Sequence, residues 1–285
     1  MKNWIQSPLR TFIAIMSMLG VGWVSPLSAQ FTVFSDDFST STGTAWTANG
    51  ALGSSAWTAN SLVDWGARRH SATQYLEASN DISAAANVNG YTLVTTSTSS
   101  FSSPYNTILN LGEVVTWTFN MRQIRPDPAG FDAGNYGVAF ILAGQAASVN
   151  TTGNGYAVVL GQSGTTDPIR LVRYTTGISG NAGITNIISS AGALGDFGVE
   201  YLSIKVVYNP CAGDEWQLYV RNDGGAGFSD PESGSLTLQG TASDGTYTGI
   251  SLDMMAAYWQ GSTAANQTAF FDNVKVKVDV PALTP

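Results

Sequence analysis

The chain has 285 residues, with 12 Lys plus Arg, 20 Asp plus Glu, one His and one Cys, and a net charge of −8 although only 11% of it is charged. That charged fraction is about half the usual one, 44% of the chain is apolar and basic residues are scarce, which excludes helical bundles, coiled coils, disordered tails and nucleic-acid binders. One Cys allows no internal disulfide and, with one His, no closed zinc site, so the polar surface must be built from Ser, Thr, Asn, Gln and Gly, as in an all-β protein.

Lys2 and Arg10 precede an uncharged run over 11–24, and Ser25-Pro26-Leu27-Ser28-Ala29 ends in a small residue suited to cleavage before Gln30. This is the order of an export leader. The run is shorter than the roughly 20 residues of a membrane span. Residues 1–29 are therefore expected to leave, giving a secreted or surface-held protein with no membrane insertion afterwards. Removal takes two basic residues and no acidic one, leaving 256 residues with 10 basic and 20 acidic side chains and a net charge of −10. A chain of that length can bury one β-sandwich core.

Period-two alternation then dominates. Strands are expected at 31–38, 91–98, 113–122, 136–143, 156–161, 169–174, 184–189, 202–208, 216–221, 236–239, 250–259 and 269–280. Val115, Trp117, Phe119 and Met121 share one face, and Leu202, Ile204, Val206 and Tyr208 share another, with Ser203 and Lys205 opposite. Trp216, Leu218 and Val220 alternate with Gln217, Tyr219 and Arg221, and the short gap at Asn209-Pro210 makes these last two runs a hairpin. Trp117 and Trp216 belong to the core on this pattern. Gly, Asn, Asp and Pro fill the gaps, and no stretch holds a helical period. Ala45-Trp46-Thr47-Ala48-Asn49 returns as Ala56-Trp57-Thr58-Ala59-Asn60, too few copies for a repeat fold but enough for two strands or loops with matching Trp residues. Residues 30–280 form one domain, and 281–285, with two Pro, read as a tail or linker start.

Phe34-Ser35-Asp36-Asp37-Phe38 opens this domain and Phe270-Phe271-Asp272-Asn273-Val274-Lys275-Val276 closes it. Between them lie Asn135-Tyr136-Gly137-Val138-Ala139-Phe140 and Gly155-Tyr156-Ala157-Val158-Val159-Leu160-Gly161. In this order the segments resemble the concanavalin A-like (laminin G-like) jelly-roll domain of secreted bacterial surface proteins. The resemblance implies an antiparallel two-sheet jelly-roll sandwich whose first and last strands pair. It also implies a range of functions, from lectins and carbohydrate-binding modules to glycoside hydrolases, lyases and modules without a ligand, so the fold cannot choose among them.

Catalysis finds little support in the residues. The hydrolases of this fold carry Glu-x-Asp-x-x-Glu on one strand, and Glu77, Glu113, Glu200, Glu215 and Glu232 each stand alone. His70 lies in the loop-like run Arg68-Arg69-His70, and no Gly-x-Ser-x-Gly elbow is present. A hydrolase or lyase would need catalytic groups dispersed over several strands. The expectation is a non-catalytic module of a surface or adhesive protein, with a structural spacer without a ligand as the alternative.

Two candidate sites follow. Asp272 shares the strand parity of Phe270, Val274, Val276 and Val278, and a carboxylate on an apolar face must be paired or coordinated. If the first and last strands pair, Asp36 and Asp37 approach it, and calcium would hold Asp36, Asp37 and Asp272 together as a structural ion. The other candidate is a face for a polysaccharide or cell-surface glycan, with aromatic platforms beside hydroxyl-binding polar groups. Trp259 with Asp253, Tyr219 with Gln217 and Arg221, and Tyr136 with Asn135 are the expected contacts, with Trp46, Trp57 and Trp65 as further loop aromatics.

Overall fold

The computed structural model describes residues 29–39, 42–86, 88–108, 112–132, 136–145, 152–261, 263–264 and 267–280. The expected leader, apart from Ala29, the tail at 281–285 and Asn135 lie outside the described residues. The first eight strands are β1 (Ala29–Asp36), β2 (Asn49–Ala51), β3 (Thr58–Ser61), β4 (Gly66–Arg69), β5 (Leu76–Ser79), β6 (Gly90–Ser97), β7 (Val114–Gln123) and β8 (Gly137–Gly144). There follow β9 (Gly155–Leu160), β10 (Ile169–Tyr174), β11 (Ile184–Ser189), β12 (Tyr201–Asn209), β13 (Glu215–Gly224), β14 (Thr237–Ser243), β15 (Met254–Gly261) and β16 (Thr268–Val280).

These strands make two antiparallel sheets, and the chain is a jelly-roll sandwich. The terminal sheet runs β14-β13-β12-β7-β16-β5-β4, with β1 also on β16. β1 and β5 share one edge of β16, β1 along 274–280 and β5 along 268–271. The facing sheet runs β11-β10-β9-β8-β15-β6-β3-β2. The first and last strands pair, Ala29 opposite Val280, as the resemblance implies. The two copies of the Ala-Trp-Thr-Ala-Asn echo also pair: Asn49 faces Asn60 across the β2–β3 hairpin. Their tryptophans part company, because Trp57 is fully buried while Trp46 is half-buried beneath the Arg68 guanidinium, 4.2 Å from its ring centre.

Alternation on the terminal sheet decides what lies between the layers. Trp117, Phe119, Leu202, Ile204, Trp216 and Leu218 all point inward with no exposed surface to speak of, and Trp117 stacks on Trp216 at 6.1 Å. Phe119 stacks across the layers on Phe140 of β8, centroids 4.1 Å apart. Each large side chain buried in this way stabilises the sandwich by about 1.5–3 kcal/mol.

The outer face of the facing sheet is apolar too. Ala139, Ile141, Ala157, Val159, Val172, Tyr174, Ala256 and Tyr258 form a second buried cluster there. Phe131 and Ile178, from the β7–β8 and β10–β11 connections, close over it. The Phe131 ring stacks on Tyr258 at 5.7 Å, and it has room because β8 carries Gly137 where a Cβ would collide with that ring. Over the central strands this face is covered.

Candidate functional site

The outer face of the terminal sheet is built differently. Its strands point Thr116, Thr118, Asn120, Ser203, Lys205, Tyr219, Arg221, Lys275 and Lys277 away from the core, so alternation leaves a polar surface. The β13–β14 connection, residues 225–236, lies across that surface as a strap. Its Ser229 carbonyl accepts from Asn120 Nδ2 at 3.0 Å and from Ser203 Oγ at 3.1 Å, and its Ser229 N–H donates to Asp223 Oδ2 at 3.1 Å. Arg221 donates to Asp223 Oδ1 at 2.7 Å, to Ser203 Oγ at 2.8 Å and to the carbonyls of Asp230 and Ser233. Farther along, Glu232 pairs with both Lys275 and Lys277. On the β5 side Phe228 packs between Tyr75 and Tyr201, each 4.7 Å away, and the Arg122 guanidinium lies 4.1 Å over Tyr201.

A cavity opens beside the strap at the edge where β1 ends and β5 begins. It is an open cavity of about 490 Å³, lined chiefly by Asp36, Asp37, Arg69, Asp230, Asn273 and Lys275. Arg69 is 2% exposed and forks onto Asp36, with Nη1 to Oδ1 at 3.0 Å and Nη2 to Oδ2. The same carboxylate accepts the Phe38 N–H at 2.8 Å and the Trp57 indole N–H at 3.1 Å. Four donors therefore saturate Asp36, in the bidentate geometry that makes guanidinium–carboxylate pairs strong. Asp37, exposed, accepts from the hydroxyl of Ser39 at 2.6 Å and its N–H at 3.1 Å, and these bonds hold its carboxyl below the usual range. Asp230 stands on the strap with Oδ1 accepting the Glu232 N–H at 2.8 Å.

Asp272 lies nearby, and a β-bulge puts it there. Pairing of β16 with β7 slips between Asp272 and Lys275, and Asn273 takes a left-handed φ of 47°. The extra residue reverses the parity of the strand. Phe271, Val274, Val276 and Val278 therefore face the core, and Asp272 goes outward with Phe270. The expectation that Asp272 shares the face of the valines is corrected by this one residue. It is buried nonetheless, 7% exposed, with Oδ2 accepting from Asn273 Nδ2 at 3.1 Å and Oδ1 without a hydrogen-bond partner. Burial, followed by the repulsion of Asp37, Asp36 and Asp230, pushes its carboxyl up to about 7.

The proposed calcium ligands come together in this region without forming a calcium site. Asp36 has no oxygen free of Arg69 and its other donors, Asp37 is turned onto Ser39, and Asp272 is sealed by its neighbours. Among the described residues no group of three or more His, Cys, Asp or Glu is placed to hold a metal ion. These residues do not fit the ion that was expected.

The expected glycan contacts scatter. Trp259 is fully buried between the sheets, 4.8 Å from the ring of Trp65, and presents no face to solvent. The run Met254–Gly261 is buried at every position, so parity alone could not say which side was the core. Asp253 lies before that strand, its carbonyl accepting the Thr98 N–H at 2.9 Å, away from the Trp259 ring's core environment. Trp57 and Trp65 are core residues as well. Tyr136 is 4% exposed beneath Arg125, and its hydroxyl is pushed up to about 12 by burial. Tyr219, Gln217 and Arg221 do face outward, but they bond to one another's surroundings. Tyr219 donates to Gln217 at 2.7 Å, Gln217 donates to Glu215 at 2.8 Å, and Arg221 holds the strap. Arg69, Asp230 and Asn273, which shape the cavity, had no signal beyond their polarity. His70 is held in a turn, its Nδ1 accepting the Thr73 N–H at 3.1 Å.

No protein-family model matches the chain, and no curated protein matches it. Among solved structures it is similar to the CBM2 module of the Lactobacillus casei BL23 phage J-1 evolved Dit. The two are 10% identical over 89% of this chain and 98% of that one, with a TM-score of 0.50. It is similar also to lectin II from Ulex europaeus, 11% identical over 90% of this chain and all of that one, TM-score 0.49. The potassium-bound carbohydrate recognition domain of Emp46p gives 12% identity, 85% and 98% coverage and a TM-score of 0.49. Likeness at such identity shows the fold alone.

Proposed function

We propose that this chain is an exported, non-catalytic module of a surface or adhesive protein that binds glycan on the outer face of its terminal sheet. The observation that carries the reading is the cavity of about 490 Å³ beside the strap. It lies within the size range of ligand sites. Its walls alternate acceptors and donors: the carboxylates of Asp37 and Asp230 stand with Asn273 and Lys275, a set suited to the hydroxyls of a sugar ring. Half-buried Tyr75 and Phe228, packed ring against ring, add apolar surface on the β5 side of the same sheet face. The solved domains named for carbohydrate recognition agree with this reading, which rests on the cavity and not on them.

A binding role suits the carboxylates better than acid–base chemistry. Asp36 is neutralised by Arg69, and among the described residues the central strands of the facing sheet are apolar and covered. The test is retention on insoluble polysaccharides and a glycan array, with Asp37→Ala and Asp230→Ala as variants. Retention on at least one glycan, weakened about tenfold by Asp230→Ala, is expected, since a hydrogen bond to a charged group contributes about 1.5 kcal/mol or more. No retention on any glycan, or release of reducing or unsaturated ends, would overturn the reading.

A further inference from the structure

The strap leaves a second cavity on its other side, about 500 Å³, between the loop and the strands β7, β12 and β16. Its chemistry is the reverse of the first. Beyond residue 29 the sequence has three lysines, Lys205, Lys275 and Lys277. All three project from this one face. Lys205 pairs with Thr118, which pairs with Lys275, in a row across three strands, and Thr116 pairs with Lys277 in the next row. Strand spacing puts the backbones of Lys205 and Lys275 about 10 Å apart. Lys205 and Lys277 line the cavity with Thr116, Thr118 and Ser235, and Glu232 is its only carboxylate.

The charges are unevenly satisfied. Glu232 serves both Lys275 and Lys277, while Lys205 has no carboxylate within ion-pair distance among the described residues. Its ammonium sits instead 3.9 Å from the centre of the Tyr219 ring. In a chain with 20 acidic side chains against 10 basic ones beyond the leader, three lysines sharing one carboxylate leave a local excess of positive charge. Glu232, carried in by the strap, already shows how a carboxylate seats between two of these lysines.

We propose that this second cavity binds an acidic sugar, its carboxylate or sulfate against Lys205 and Lys277 and its hydroxyls against Thr116, Thr118 and Ser235. The inference rests on the glycan-binding reading and names a substrate class for the same face. A ligand anion competes with Glu232 for Lys277, so the strap's own carboxylate sets the affinity. Binding weakens with salt, because these charges lie at the surface.

The experiment measures binding of the whole chain to polygalacturonate, to a sulfated galactan and to a neutral glucan, at low and high ionic strength. The proposal expects tighter binding to one acidic polymer than to the neutral one, lost as salt rises. The carboxylated and sulfated arms tell which anion is preferred. Lys205→Gln is expected to weaken acidic-polymer binding about tenfold, Lys205→Arg to retain most of it, and Glu232→Gln to strengthen it. Circular dichroism and melting of each variant separate lost binding from lost fold. Acidic and neutral polymers bound equally, or Glu232→Gln without gain and Lys205→Gln without loss, would overturn this inference while leaving glycan binding intact. No binding to any polymer would overturn both.

Discussion

The two outer faces of this sandwich are made of strands of similar length, and they behave as opposites. On the facing sheet, both sides of each central strand are apolar, and Phe131 and Ile178 close over Tyr258 and Tyr174 to make a second dry layer. On the terminal sheet the strands alternate, and the connection that crosses them is held by Asn120, Ser203, Arg221 and Glu232 through polar contacts. A loop fixed by burial excludes water and ligand alike. One fixed by hydrogen bonds at a few points leaves cavities beside it. The difference teaches where to look for binding in a jelly roll: on the face whose cover is polar.

The largest effect should come from breaking the dry face. Phe131→Ala removes the ring over Tyr258 and is expected to cost about 3–5 kcal/mol, measured by denaturant unfolding. A loss under 1 kcal/mol would mean that this cover is not part of the fold's stability. On the wet face the sharpest probe is Asp272. Its folded carboxyl, raised to about 7, binds its proton more tightly than the unfolded chain does. Its contribution is therefore full below about pH 4 and is lost as pH rises through about 7, on the order of 4 kcal/mol in all. Asp272→Asn should flatten that decline and raise the melting temperature at pH 8. An unchanged pH profile would separate Asp272 from the repulsion of Asp36, Asp37 and Asp230. The smallest effect expected is from EDTA, which should leave the melting temperature where it was, because Asp36 is committed to Arg69 and not to an ion.

Much of the fold can be read from the residues wherever one strand face is polar. Thr116, Thr118 and Asn120 against Trp117 and Phe119 fix the orientation of β7, and the hairpin of β12 and β13 follows in the same way. The same rule fails on β15, where Met254–Gly261 is apolar on both sides and Trp259 went to the core instead of solvent. The strands β2 to β5 escape notice because Gly, Ser, Thr and Asn dominate them or because they span only four residues or fewer. At Asp272 the alternation is legible but misleading, since nothing in Asp272-Asn273-Val274 announces the bulge that reverses it. The nearness of Asp36 and Asp37 to Asp272 follows from pairing of the first and last strands. Arg69, which takes Asp36 for itself, comes from β4 and is joined to that edge only by the folded sheet. The lysine row is legible in part, since alternation puts Lys205 on the face opposite Leu202 and Ile204.

The central claim is that glycan is taken by the terminal sheet and not by the facing one. Amide hydrogen exchange with and without a retained polysaccharide tests it most directly. The account predicts added protection at residues 35–39, along the strap at 225–236 and at 272–277, with none at 129–132 or 176–183. Protection gained at 129–132 and 176–183 while the strap stays unchanged would contradict it.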